Sequence, residues 1–203
     1  MEKKTYAASD QTKHALAAAL KELMAHKPLE KITIHEITER CGMRRQNFYY
    51  HFEDIYDLLH WMFEEEAMVL LRQHEGALLW QEGCLQLFQY LWENRAVCLC
   101  ALKSLGHEHL KRFFEAEIYT IIHNTIEQIG QSIGIKDGAQ AQVDIDLLTH
   151  FFVTALAGMM ESWLLGELDQ TPEELVAFVD TLLQDYIRGV LGRVSSSAEH
   201  KET

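Results

Sequence analysis

The chain has 203 residues, 48% of them hydrophobic and 24% charged, with a net charge of −13, so it has ample material for a core in one large or two small domains. Only two prolines occur, Pro28 and Pro172, and Leu, Ala, Glu and Gln are abundant, which favours helix over strand. No apolar run approaches a membrane span, the opening Met-Glu-Lys-Lys-Thr-Tyr is not a signal peptide, and four cysteines suit reduced thiols in a cytosol better than a disulfide framework.

The first predicted helix has Ser9 or Asp10 as its cap and runs to about Ala25, burying Leu16, Leu20 and Leu23. Pro28 ends it, because proline disfavours the helical conformation of the residue before it. Thr33 and Glu36 then form a capping box, in which each side chain satisfies a free amide at a helix start. Ile34, Ile37 and Cys41 share one face of this second helix. Gly42 marks the turn, where glycine adopts positive φ without strain. Met43 is an apolar residue set between the two helices. Arg44, Arg45, Gln46 and Asn47 open a third helix that Phe48 and Phe52 anchor to the core. This is the pattern of a helix-turn-helix, whose second helix lays its N-terminal side chains against base edges in the major groove. Arginine pairs bidentately with guanine, and glutamine or asparagine with adenine. Tyr49, Tyr50 and His51 carry groups that reach phosphates. A two-helix corner with a glycine is also common in helical proteins that bind no DNA.

A fourth helix is expected from Asp54 to about Gln73, long enough to link this head to the rest. Gly76 and Gly83 bracket a connection containing Trp80. A fifth helix carries Cys84, Leu87, Phe88, Leu91 and Trp92, and a shorter one spans Asn94 to Leu105. A long stripe from Leu110 to Ile133 and a helix from Val143 to Leu168 follow, the second apolar on more than one side. Thr171-Pro172-Glu173-Glu174 combines a cap, proline at the first helical position and a capping box. Leu175, Phe178, Val179, Leu182, Tyr186 and Ile187 complete the last amphipathic helix, and Ser195–Thr203 is polar and expected to fray. The fold class is all-α: a three-helix head over residues 1–56 and a helical bundle over 57–203.

The charge is unevenly spread. Residues 1–56 carry nine Lys/Arg against eight Asp/Glu, and residues 57–203 carry nine against 23. An acidic body repelled by DNA helps to orient the other end toward it, and also keeps the protein soluble.

The head resembles the N-terminal domain of the TetR family of regulators. The matching positions are Thr33–Ile37, Cys41-Gly42-Met43, Phe48-Tyr49-Tyr50-His51-Phe52, and Asp54, Asp57, Leu58 and Leu59. The run FYYHFEDIYDLL is similar to a subgroup that includes activators of dihydroxyacetone kinase operons. The resemblance implies a cytoplasmic transcription regulator, repressor or activator, with Arg44–Asn47 as variable base readers and Tyr49 and His51 as backbone contacts. The candidate DNA-binding set is thus Thr33, Arg44, Arg45, Gln46, Asn47, Tyr49, Tyr50 and His51. Ile55 stands where the family usually has a phosphate-binding lysine, and the amides of the helix N-terminus are the alternative donors.

The last two long helices are too apolar for a monomer surface, and antiparallel pairs of this kind build four-helix dimer interfaces. The family dimerises this way, so the expected partners are a second copy, a palindromic operator, and an effector that alters the spacing of the two heads. Candidate pocket residues are Trp61, Trp80, Trp92, Phe113, Tyr119, His123, Phe152, Glu161 and Trp163, although aromatics also fill ordinary cores. The effector could equally be a protein docking on the acidic body.

An enzyme is the competing class. His107 and His109 are two apart and share no helix face, Cys98 and Cys100 have the same spacing, and no nucleophile elbow, phosphate loop or dinucleotide motif occurs. No catalytic residue, metal or cofactor is therefore expected. A helical scaffold without DNA binding is the third reading, and it has no need for two arginines beside glutamine and asparagine.

Overall fold

The computed structural model of the chain describes residues 2–73, 80–104, 107–132 and 139–199, and among these it is all-α. The order is α1 Glu2–Met24, a 3₁₀ turn Leu29–Lys31, α2 Ile34–Arg40, α3 Arg45–Tyr49, α4 Ile55–Phe63, a π-helical segment Glu64–Met68, α5 Val69–Arg72, α6 Trp80–Glu93, α7 Arg95–Leu102, α8 His107–Ser132, α9 Ala139–Leu165 and α10 Pro172–Glu199. Gly76 and the loop at Gly134–Gly138 lie outside the described residues.

Two compact units divide the chain. One takes in residues 1–69 and 90–117, the other residues 70–89 and 118–203. In the first, α1 buries Leu16, Ala17, Leu20, Leu23 and Met24. It begins well before the expected cap at Ser9 or Asp10. Residues 2–8 contain no breaker, so an established helix propagates back through them, and a capping preference does not stop it.

The fourth helix reaches Arg72, close to the expected end, but with a wide turn inside it. Glu66, in that π-helical segment, pairs with Lys21 of α1 and accepts a hydrogen bond from the Tyr90 hydroxyl at 2.9 Å. The Lys21 ammonium also lies 5.0 Å from the centroid of the Tyr90 ring. Burial, and then the Glu66 carboxylate, push the Tyr90 hydroxyl pKa up. A π turn admits one extra residue, and such turns recur at functional positions in helices.

In the second unit, Trp163 is fully buried, packs edge-on against Phe88 at 5.4 Å, and donates its indole N–H to the Gln170 carbonyl at 2.8 Å. α9 stops at Leu165, three residues short of expectation, because Gly166 takes φ +83°. The Gly166 amide donates to Trp163 O and that of Glu167 to Ser162 O, which caps the last free carbonyls. Thr171 and Glu174 exchange the two bonds of the expected capping box, at 2.9 and 3.3 Å. α10 continues to Glu199, through the serines expected to fray.

One expectation is corrected. Among the described residues one helical stretch, Ile145–Leu165, is long and apolar enough to cross a membrane by length and composition alone, with a window mean hydropathy of 1.2. Thr149, His150, Thr154 and Glu161 interrupt any visible apolar run while leaving the average high. Only 28% of that window is buried. Leu147 and Phe151 on α9 are 65% and 66% exposed, and Phe178, Leu182 and Tyr186 form an exposed row on α10.

Candidate nucleic-acid interface

The helix-turn-helix is built from two precise stops. At the start of α2, Thr33 Oγ1 accepts from the Glu36 amide at 3.3 Å, while Glu36 accepts from the Thr33 amide at 2.9 Å. Glu36 is also paired with Lys27, and that pair, followed by the bonds from Thr33, draws its carboxyl pKa from 4.5 down to about 2. At the far end Gly42 has φ +63°. The Gly42 amide donates to Glu39 O and the Met43 amide to Thr38 O, which is the paired closure that a left-handed glycine permits. Thr38 is buried and donates back to Ile34 O at 2.9 Å. Met43 is half-buried. These two ends fix the length of α2 and the angle at which α3 departs.

α3 then has one buried and one exposed side. Phe48 is 0% exposed and Phe52 nearly so, with ring centroids 5.8 Å apart. Trp61 joins them, 5.7 Å from Phe52 and 5.1 Å from His14 of α1. On the other side Arg44, Arg45, Gln46 and Asn47 are all exposed, as are Tyr49 and Tyr50, while His51 is half-buried against Phe52. Thr33 is exposed but engaged in its cap. One relation was not foreseen. Arg45 Nη2 donates to the Tyr49 hydroxyl at 2.9 Å, with the guanidinium carbon 5.5 Å from the ring centroid. The signal was available, since residues four apart on a helix are neighbours.

The start of α4 is closed by acid. Asp54 accepts from the Asp57 amide, and Asp57 from the Glu53 amide, each at 2.9 Å. Two carboxylates at this terminus oppose a phosphate, so the helix start is a poor substitute for the lysine absent at Ile55.

Among the described residues, the aromatic and polar candidates for an effector pocket do not gather. Trp61 belongs to the packing beneath α3. Trp92 is exposed, and Glu161 is exposed on α9. Tyr119 stacks on His123 at 5.7 Å, and His123 meets Asp146 at 3.2 Å. The side chains of Trp80 and Phe113 lie outside the described residues. Phe152 does line a cavity of about 80 Å³ in the second unit, together with Leu87, Phe88, Ile122, Met160 and Val179. Its few polar lining groups include Thr125, whose hydroxyl donates to Ile121 O at 2.9 Å, and the Cys84 thiol, whose pKa burial pushes up to about 12. Buried isoleucines and leucines leave no local signature that separates cavity wall from plain core. Among the described residues, no group of three or more His, Cys, Asp or Glu side chains stands close enough to share a metal ion.

Comparison with known proteins bears on both units. Residues 16–62 match the family described as bacterial regulatory proteins, tetR family, and residues 79–185 match a transcriptional regulator C-terminal region of the same family group. A curated relative is the HTH-type dhaKLM operon transcriptional activator DhaS of Lactococcus lactis subsp. lactis (strain IL1403), 33% identical over 84 residues. That alignment covers 41% of this chain, and the chain spans about half the length of the relative, 45%. The solved structure of a dihydroxyacetone kinase operon activator DhaS has the same fold, with a TM-score of 0.70 and 22% identity over 87% of this chain and 96% of that one. A transcriptional regulator from Pseudomonas aeruginosa PAO1 follows, with a TM-score of 0.59 and 17% identity over 91% of this chain and 94% of that one. These are regulators and not enzymes, and the matches to both halves give the conclusion: the chain belongs to the TetR family of bacterial transcriptional regulators.

Proposed function

We propose that the protein is a cytoplasmic transcription regulator that binds a palindromic operator as a homodimer and answers to an effector held by its C-terminal region. The observation that carries this reading is α3: four exposed polar side chains, Arg44 to Asn47, on a short helix locked from behind by Phe48 and Phe52. Such a helix presents hydrogen-bonding groups to base edges in a fixed register. Residues 1–56 bind DNA, and residues 57–203 dimerise and sense.

The dimer reading rests on the exposed stripes of the last two helices. Leu147 and Phe151 are four apart on α9, and Phe178, Leu182 and Tyr186 repeat at the same interval on α10. A second copy, related by a two-fold axis, covers both stripes at once. Two heads then meet half-sites about one DNA turn apart, roughly 35 Å.

The effector reading rests on the cavity behind Phe152. Its walls are almost wholly apolar, so a buried hydroxyl or charge would be left without a partner there. It suits a compact apolar molecule, or the end of one, being smaller than the roughly 150 Å³ apolar cavity that takes benzene. A protein docking on the acidic body is the other form of effector. The curated relative is named an activator, which favours activation over repression. Effector binding acts by shifting the population between head spacings that do and do not fit successive major grooves.

The test is selection from a random DNA pool by the full-length protein at a stated salt concentration, with sedimentation of the same sample. The expected result is a two-fold symmetric sequence bound by a dimer. A folded dimer that enriches nothing, or a folded monomer, removes the reading.

A further inference from the structure

Arg45 and Tyr49 stand four residues apart, so their side chains share one face of α3. The arginine donates to the tyrosine hydroxyl at 2.9 Å and its guanidinium lies 5.5 Å from the ring centroid. Both residues are exposed, so no demand of the core explains the pair. An arginine freed in solvent loses much rotamer freedom when it settles on a base. A partner that holds it before DNA arrives removes part of that loss. The guanidinium has five N–H donors; one is spent on Tyr49, and a parallel pair remains for the O6 and N7 of a guanine.

We propose that Tyr49 is a positioning residue for sequence readout: it holds Arg45 in the pose that meets a guanine edge. The proposal rests on α3 being the DNA-reading helix. It assigns Tyr49 a role in specificity, in place of the sequence-independent phosphate contact that its position in the motif implies.

Tyr49→Phe is the decisive variant, because it removes the hydroxyl and keeps the ring that meets Phe48 edge-on at 5.7 Å. Affinity is measured for the full-length protein on its selected duplex and on every single-base-pair change, across a salt series. Arg45→Ala is expected to erase the preference at one base pair, roughly tenfold. Tyr49→Phe is expected to reduce the preference at that same pair by roughly threefold and to leave the salt slope unchanged. In the Arg45→Ala background it is expected to do nothing further. The proposal is overturned if Tyr49→Phe weakens all duplexes alike and flattens the salt slope, in either background, since that is a phosphate contact. It is overturned equally by a Tyr49→Phe variant that matches the wild type. If the wild type selects a sequence but Arg45→Ala shifts no preference, the DNA reading stands and this proposal falls. If the folded wild type selects nothing, both fall.

Discussion

The helix-turn-helix and the last two helices use exposure in opposite ways. α2 and α3 are short, α2 is closed by a capping box, and α3 exposes polar side chains over a buried aromatic base, Phe48 and Phe52. α9 and α10 are long and expose Leu147, Phe151, Phe178 and Leu182. The first region is finished on its own: Thr33, Glu36 and Gly42 close the two ends of α2, and the exposed polar groups of α3 are ones that water satisfies. The second leaves apolar surface in water, and that surface is stabilised only by something that covers it. Local chemistry therefore specifies the head, while on the proposed reading a second copy completes the body.

The sharpest way to break this contrast is to remove the base of α3. Phe48→Ala deletes a fully buried ring, and large-to-small changes of this kind cost about 3–5 kcal/mol. Calorimetry should show the unit that contains α1–α4 melting early, and DNA binding lost with it. The matching change in the body is Phe151→Glu together with Phe178→Glu. Both positions are solvent-facing within one chain, so the folded monomer should survive, with far-ultraviolet circular dichroism unchanged. Dimer dissociation measured by sedimentation should rise at least a hundredfold, roughly 3 kcal/mol, through two buried charges on each copy. An unaltered dimer would mean that another surface joins the copies.

A smaller effect separates backbone from packing. Gly42 sits at φ +63°, and a Cβ added there meets nothing within 4 Å. Gly42→Ala should therefore cost only the left-handed conformation, about 1–2 kcal/mol, seen as a lower melting temperature with unchanged sequence preference. The smallest effect is electrostatic. The Glu36 carboxyl is held near 2 in the folded chain against 4.5 ordinarily, chiefly by Lys27 and then Thr33. A carboxyl lowered on folding contributes stability that is present above 4.5 and is lost as pH falls toward 2. The wild type should therefore melt slightly above Glu36→Gln at neutral pH, and the gap should close on acidification through that window. A gap independent of pH would remove the ion pair as its cause.

What was legible in the sequence follows the same division. Thr33 with Glu36, Gly42, and Thr171 with Pro172 and Glu174 act within four residues of themselves, so they read correctly from the string alone. Phe48 and Phe52 announced their burial by spacing. Trp61 and Trp163 did not announce their surroundings: the first supports the head through Phe52 and His14, the second clamps a loop through Gln170 O. An aromatic residue looks the same in sequence whether it lines a cavity or fills a core. The cavity itself is walled by residues from helices far apart in the chain, among them Phe88, Ile122, Phe152 and Val179. The early start of α1 was missed because propagation from an established helix overrides a local stop signal.

The wide turn at Glu64–Met68 has a consequence for anyone who alters the length of this chain. Each residue of an α-helix advances the azimuth by about 100°. Rewinding the same residues as a regular α-helix, with the extra residue no longer absorbed in the wide turn, would swing Val69–Arg72 round by that amount relative to α4. It would also carry Glu66 away from Lys21 and Tyr90. Heads exchanged between relatives should accordingly be joined outside residues 64–68, and a splice that miscounts there by one should cost the first unit its ties from Glu66 to Lys21 and Tyr90.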